Sequence, residues 1–419
     1  MDLPVGTGTR RSVEEGPEVK RQLYSLMLTI LVVVMSELQI AGMMPAIADD
    51  FGVSTGQVGL LVSLYALGMA IGGPLLAFVF RHSPPKRALL TVVAAYAVLE
   101  VMVPLVHAYW WVALVRILTG CLAGAGFGLS VTFGARLAPR PEKIGEAISV
   151  VLGGIMVGTV IGLPLSHFIA GRWGWQSSFY VLGAAAFLLF VISTVALPPL
   201  AAATQDDAAQ DVRNLRSPRL WSRYLVSLLT VGAAYASFSY FTPLLEQSAG
   251  FATDTTTLIL LGYGLCSYVG NLIVGKFADQ HAVKVLRFGH MLLFVSLGLL
   301  ALRGHVPAVA LGMVLVVGLA GVTMNPALVT RVAEVGGVGN LVSTVHTAVI
   351  TMGVTLGTAI SAITISLFGE DPAVAMWTGA AFAVLAALVL ATQTRRTAST
   401  RPIVASLPAG GEQSTEMKS

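Results

Sequence analysis

The chain has 419 residues, of which 55% are hydrophobic and 11% charged, with a formal charge of +4 and a mean hydropathy of +0.80. Soluble domains carry about 25% charged residues, so this composition excludes a water-soluble globular protein. The apolar runs are long and continuous rather than alternating, which excludes a transmembrane barrel. They fit helices of ~20 residues that satisfy their own backbone groups inside a bilayer.

Residues 1–20 are polar and read as a cytoplasmic tail, with no cleavable signal. Spans follow near 24–45, 57–80, 88–107, 109–137, 147–170 and 178–197, which make up an N-terminal bundle over 21–197. Residues 198–221 hold Pro198, Pro199, Asp206, Asp207, Asp211, Arg213 and Pro218, and read as a cytoplasmic linker. A second set of spans lies near 222–246, 256–278, 284–303, 306–330, 338–368 and 373–392, giving a C-terminal bundle over 222–393 and a cytoplasmic tail over 394–419. The expected fold is all-α, with twelve transmembrane helices in two six-helix pseudo-symmetric halves. With the N-terminus placed inside, all of the 25 Lys and Arg residues fall in tails or inner loops except Arg116, Arg172 and Arg303. By the positive-inside rule both termini are cytoplasmic, in a cell membrane.

The halves repeat, as transporters built from duplicated bundles do. Laying Tyr65 on Tyr263 brings Gly72 onto Gly270 and Arg81 onto Asp279. With a one-residue gap, Gly162 meets Gly357 and Ser166 meets Ser361. Glycines four apart recur at Gly68/Gly72, Gly120/Gly124/Gly128, Gly154/Gly158/Gly162 and Gly353/Gly357. Such stripes let helix backbones approach closely, either as static packing or as a surface on which two bundles rock.

Ionisable residues inside a span cost ~2.5–3.5 kcal/mol on insertion scales and are functional candidates by default. Glu37 lies ~12 Å from the outer end of the first span. Arg116 in the fourth and Glu100 in the third lie ~10 Å deep, at a similar level. Glu37 is expected to be the proton-coupling acid and Arg116 the group that tunes it; the alternative is a static buried ion pair. Glu100 is weighted toward the static reading, because the third span is expected at the periphery. Tyr235, Phe238, Phe241 and Tyr263, with Asn325, either stack a flat apolar substrate or simply pack. Trp110, Trp111, Trp173 and Trp175 read as interfacial anchors. Cys121 and Cys266 read as small core residues, and neither His290 nor His346 has metal-ligand spacing around it.

Ser36-Glu37 followed by Gly42-Met43-Met44-Pro45-Ala46, Gly59–Ser63 with Tyr65–Gly68 and Gly73-Pro74, Arg116 with Gly120, and Gly158, Gly162 and Pro164 followed by Trp173-Gly174-Trp175 resemble the major facilitator superfamily. The likeness is to its twelve-span drug:proton antiporters, in the arabinose-efflux-permease-like branch. It covers residues 24–393 and implies alternating access. It also implies conformational roles for Gly158, Gly162, Pro164 and the inner-loop Asp279. The first-half inner loop, Arg81 to Arg87, departs from the family by lacking its Asp, and Ser166 stands where a Gly is common.

No GxxxxGK[ST], HExxH or CxxC pattern occurs. The reading is therefore a non-enzymatic secondary transporter, a proton-coupled exporter of drugs or amphipathic metabolites, without cofactor or metal. Its expected partners are small-molecule substrate, protons and lipid, with no nucleic acid, and a monomer is expected. A sugar or nucleoside transporter on the same scaffold is the alternative.

Overall fold

The structure, a computed structural model, describes residues 17–80, 83–138, 140, 143–200, 215–336 and 340–399. The first sixteen residues, linker residues 201–214, the tail from 400 onward, and Arg81 and His82 of the altered loop lie outside the described residues. Among the described residues twelve helices are long and apolar enough to cross a bilayer. In the first half these are α1 (Glu18–Gly42), α2 (Thr55–Val79), α3 (Pro85–Leu105), α4 (Tyr109–Leu137), α5 (Glu146–Trp173) and α6 (Trp175–Ala196). The second half consists of α7 (Pro218–Ser248), α8 (Thr253–Ala278), α9 (Gln280–Arg303), α10 (Pro307–Gly336), α11 (Val342–Leu367) and α12 (Ala373–Gln393). At 1.5 Å per residue each covers the ~30 Å hydrocarbon core.

The pairing of helices repeats between halves. Helix α2 packs on α4, α1 on α5 and α3 on α6. In the second half α8 packs on α10, α7 on α11 and α9 on α12. The contacts match at residue level. A Cβ on Gly120 of α4 would run into the Tyr65 carbonyl of α2, and one on Gly318 of α10 would meet the Tyr263 carbonyl of α8 at 2.7 Å. The two tyrosines aligned in the sequence therefore sit at equivalent crossings, each requiring a residue without a side chain opposite its backbone.

The first span is shorter than its hydropathy suggests, because α1 stops at Gly42 and a separate short helix, Met44–Phe51, follows. The break falls at Met43 (φ −112°, ψ 10°), two residues before Pro45. Helix α7 breaks in the same way at Tyr240 (φ −110°, ψ 13°), three residues before Pro243, and ends in a π turn at Leu244–Ser248. Proline carries no N–H and clashes with the preceding turn, so an interruption just ahead of it removes the conflict. In α10 the chain departs from helical geometry at Gly321 (ψ −103°), passes through a 3₁₀ turn and resumes at Asn325, ahead of Pro326. Helices α8 and α9 form one rod bent at His281 (φ −134°, ψ 27°).

The halves meet on the face opposite the chain termini. There Ser63 of α2 and Thr358 of α11 are hydrogen-bonded at 2.7 Å, and the Thr242 hydroxyl of α7 donates to the Ala41 carbonyl of α1 at 3.0 Å. The Glu370 carboxylate, on the α11–α12 turn, accepts from the Thr55 hydroxyl at 2.6 Å and the Gly56 N–H at 3.2 Å. That carboxylate caps the start of α2 from the other half. Burial alone would raise its pKa, but these donated hydrogen bonds outweigh burial and hold it below the usual carboxylate value. On the terminus side the halves part, and a cavity of about 300 Å³ opens between α2, α4 and α11, lined by Gly73, Phe80, Thr132, Arg136, Thr347 and Thr351 among others.

Candidate functional site

The first-half carboxylates and Arg116 converge at one level, as their depths in the sequence suggest. Successive residues on a helix point ~100° apart, so Ser36 and Glu37 of α1 face different neighbours. Ser36 faces inward within the first half. Its hydroxyl donates to Glu100 Oε1 at 2.5 Å and accepts from Arg116 Nη1 at 2.9 Å, while Arg116 Nη2 donates to the Ser36 carbonyl at 2.9 Å. Gln39, one turn on, donates to Glu100 Oε2 at 3.2 Å and accepts from Ser178 of α6. The Arg116 guanidinium lies 4.0 Å above the centre of the Tyr65 ring, and the Tyr65 hydroxyl donates to the Val33 carbonyl.

Glu37 faces the other half. It is 8% exposed, with Tyr235 of α7 and the Arg116 charge as its electrostatic neighbours. It sits between bundles, away from the lipid. The ring of Tyr235 makes an edge contact with Phe238 at 5.3 Å. Arg116 is fully buried, and its Nε has no hydrogen-bond partner.

Glu100 of α3 belongs to the same network. It is fully buried and bonded to Ser36 and Gln39, so its carboxylate, through Ser36, is the nearest anchor of Arg116. Helix α3 is peripheral, yet this side chain reaches the centre. Gln39 was not named from the sequence, and Ser36 and Tyr65 entered only through the repeat and the family resemblance. The usable signal was the i, i+3 pair Ser36/Gln39 on one face of an otherwise apolar helix.

The remaining candidates separate into groups. Phe238, Phe241 and Tyr263 pack on one another, with Phe238–Tyr263 stacked at 5.8 Å and Phe241–Tyr263 edge-on at 5.5 Å, and all three are buried. They do not line the open cavity. Its deepest α2 residue, Met69, lies about one turn from Tyr65. The Asn325 Oδ1 is buried without a hydrogen-bond partner at the α10 break. Gly158 and Gly162 face α1, where added Cβ atoms would meet Val34 at 2.9 Å and Met35 Cα at 3.2 Å. Gly353 and Gly357 face α7 at Leu228 and Gly232. The glycine stripes thus join helices of one half. Between halves, Gly264 on α8 approaches Val160 on α5, and Gly56 and Gly59 on α2 approach the Ala362 carbonyl of α11 and the Tyr240 ring. Pro164 lies inside α5, and Asp279 closes α8 with its side chain outside the described residues. Of the tryptophans, Trp110 and Trp173 are exposed. Trp175 is buried and donates to Asp50 at 2.9 Å, so it is a structural residue rather than an interfacial anchor.

Twelve membrane helices among the described residues, in two matched halves joined on one face and parted on the other, are the architecture of a membrane transporter built from repeats. The chain belongs to the Major Facilitator Superfamily, whose family model matches residues 26–344. It is 29% identical over 349 residues to a chloramphenicol resistance protein of Streptomyces lividans, covering 82% of this chain and 88% of that one. It is 29% identical over 330 residues to the inner membrane transport protein YdhP of Escherichia coli K12, covering 78% and 84%. The putative transporter AraJ of the same organism is 26% identical over 266 residues, with 63% and 67% covered. Among solved structures, a bacterial homologue of the lysosomal transporter Spinster, inward-facing and occupied, superposes with a TM-score of 0.75 at 17% identity, covering 91% of this chain and 98% of that one. The xylose transporter XylE of E. coli superposes at 0.68 with 14% identity, covering 89% and 97%. The chain is a multi-pass membrane transporter, not an enzyme.

Proposed function

We propose that this transporter is a proton-coupled exporter of small amphipathic molecules, with both termini in the cytoplasm and bundles 21–197 and 222–393 rocking about the site. The observation that carries the reading is the position of Glu37. It is an acid at the bundle interface, with Tyr235 of the opposite half and the Arg116 charge as neighbours. A carboxyl whose solvation and partners change when bundles separate is a proton switch, because desolvation favours its neutral form and a nearby cation its ionised form. Arg116 keeps a buried Nε donor without a hydrogen-bond partner, which a shift of the helices can offer to Glu37. Basic residues concentrated on the terminus side support cytoplasmic termini, and the open cavity then faces inward.

The name of the Streptomyces relative supports export of compounds such as chloramphenicol. Tyr235, Phe238, Phe241, Tyr263 and Asn325 are the substrate-contacting residues of this proposal, exposed when the bundles reopen. Gly158, Gly162, Pro164 and Asp279 act in the conformational change. A sugar or nucleoside transporter is the second reading, and the scarcity of amides near the interface speaks against it.

The test is uptake of chloramphenicol and a panel of amphipathic cations into inside-out vesicles under an imposed pH gradient, comparing wild type with Glu37→Gln. The expectation is gradient-driven transport that Glu37→Gln abolishes while expression persists. Wild-type rates in Glu37→Gln would remove the assignment. No gradient-driven transport of any panel compound, with sugar or nucleoside uptake instead, would favour the second reading.

A further inference from the structure

A second buried ionisable cluster lies on the face opposite the termini, apart from Glu37. His167 on α5 occupies the seam between halves with its side chain 6% exposed. Its Nδ1 lies 2.8 Å from the Gly42 carbonyl, at the end of α1. Its Nε2 lies 3.2 Å from the Thr253 carbonyl, at the start of α8, and 3.3 Å from Glu246 Oε1, at the end of α7. Carbonyl oxygens only accept, and a neutral imidazole has a single N–H. Either neutral tautomer would therefore turn a lone pair toward an acceptor oxygen. The imidazolium alone donates from both nitrogens. Glu246 supplies the counter-charge, and its Oε1 is itself buried with no hydrogen bond, which suits a carboxylate compensated by an adjacent cation.

The other charged groups on the elements packed around this ring are engaged elsewhere or directed outward. Arg172 on α5 and Asp254 on α8 approach each other at 3.8 Å, both largely exposed. On the short helix after α1, Asp49 is exposed, and Asp50 accepts from Trp175 and Gln176 and pairs with His107 at 3.0 Å. Arg303 and His305, on the turn that packs under Leu244 of α7, are exposed.

We propose that His167 and Glu246 form a second proton-binding site, a latch that joins the two halves on this face only while the His167 ring carries both protons. The ring sits on the first half, and two of its three acceptors belong to the second. Losing a proton removes one bond and the ion pair together, and the face loosens. Closure of this face is therefore strengthened as pH falls and weakened as pH rises through the titration of the ring. This site does not depend on Glu37 being the coupling acid.

The full-length chain in lipid nanodiscs provides the test. Nitrogen-15 spectra of histidine-labelled protein, with the His167 signal assigned by its loss in His167→Gln, should show both ring nitrogens protonated at about pH 7, near the unperturbed histidine range. A singly protonated His167 at about pH 6 overturns the proposal. Spin labels on cysteines at Val106 and Phe368, exposed positions on the two halves, with Cys121 and Cys266 replaced by alanine, report whether this face is open. The open fraction should rise between about pH 6 and about pH 8 in wild type and in Glu37→Gln alike. It should lose that pH dependence in His167→Gln and in Glu246→Gln. Unaltered pH dependence in either variant that folds overturns the latch, and a failure of the Glu37 assignment leaves all these readouts unchanged.

Discussion

Tyr235→Phe deletes one hydroxyl and keeps the ring, so the edge contact with Phe238 survives and the change isolates a single bond between bundles. Across the interface the hydroxyl is a neighbour of Glu37, to which it is expected to donate. A hydrogen bond to an ionised group is worth about 1.5–3 kcal/mol and a neutral pair about 0.5–1.5 kcal/mol. The bond belongs to the arrangement in which α1 and α7 face each other as here. Its loss should therefore lower the population of this terminus-side-open state by about 10- to 150-fold relative to its rival when Glu37 is ionised, and by about 2- to 13-fold when it is protonated. Ser343, which lines the open cavity, reports the population. In a Ser343→Cys chain lacking Cys121 and Cys266, alkylation by an impermeant maleimide from the terminus side should slow by those factors, more at high pH than at low. Equal labelling rates with and without the Tyr235 hydroxyl, at both pH values, would refute the idea that this bond ties the acid to the bundle interface.

Arg116→Lys keeps the charge but gives up the paired donation to the Ser36 hydroxyl and carbonyl, and a lysine cannot replace that planar fork; transport should fall about tenfold or more with the folded protein still eluting as a single peak. Gly120→Ala forces a methyl group into the Tyr65 carbonyl and should destabilise the first half by about 1–3 kcal/mol, whereas Gly128→Ala, which meets nothing within 4 Å, should change thermal stability by no more than about 0.5 kcal/mol. Glu370 is held below the ordinary carboxylate value of 4.5 by donated bonds, so its contribution to closure is complete above that value and lost as pH falls through the lowered one. Glu370→Gln should consequently open the face opposite the termini by the same amount throughout the neutral range, and accessibility labelling at Phe368 measures it.

The spans, their pairing into halves and the two ionisable groups Glu37 and Arg116 were legible because hydrocarbon punishes charge and rewards long apolar runs. The break at Met43 was not, since hydropathy passes through Pro45 without interruption and only backbone geometry registers it. The bonds of Glu100 to Ser36 and Gln39 were not legible for a related reason: a helix's place at the rim says little about where a long side chain ends. His167 and Glu246 lie at span ends, where polar residues are ordinary, and only the folding together of α1, α5, α7 and α8 makes them a cluster. Trp175 shows the same effect in reverse. Aromatic residues at a predicted boundary usually meet headgroups, but here the start of α6 turns this one under the short helix that carries Asp50.

The sealed face has a bearing on pharmacology. Hydroxyls, backbone carbonyls and the Glu370 cap join the bundles on that side, and among the described residues a cavity opens between them beside α2, α4 and α11. An inhibitor that enters this cavity has to arrive from the side on which α1 begins, which in the proposed orientation is the cytoplasm, so it must cross the membrane first.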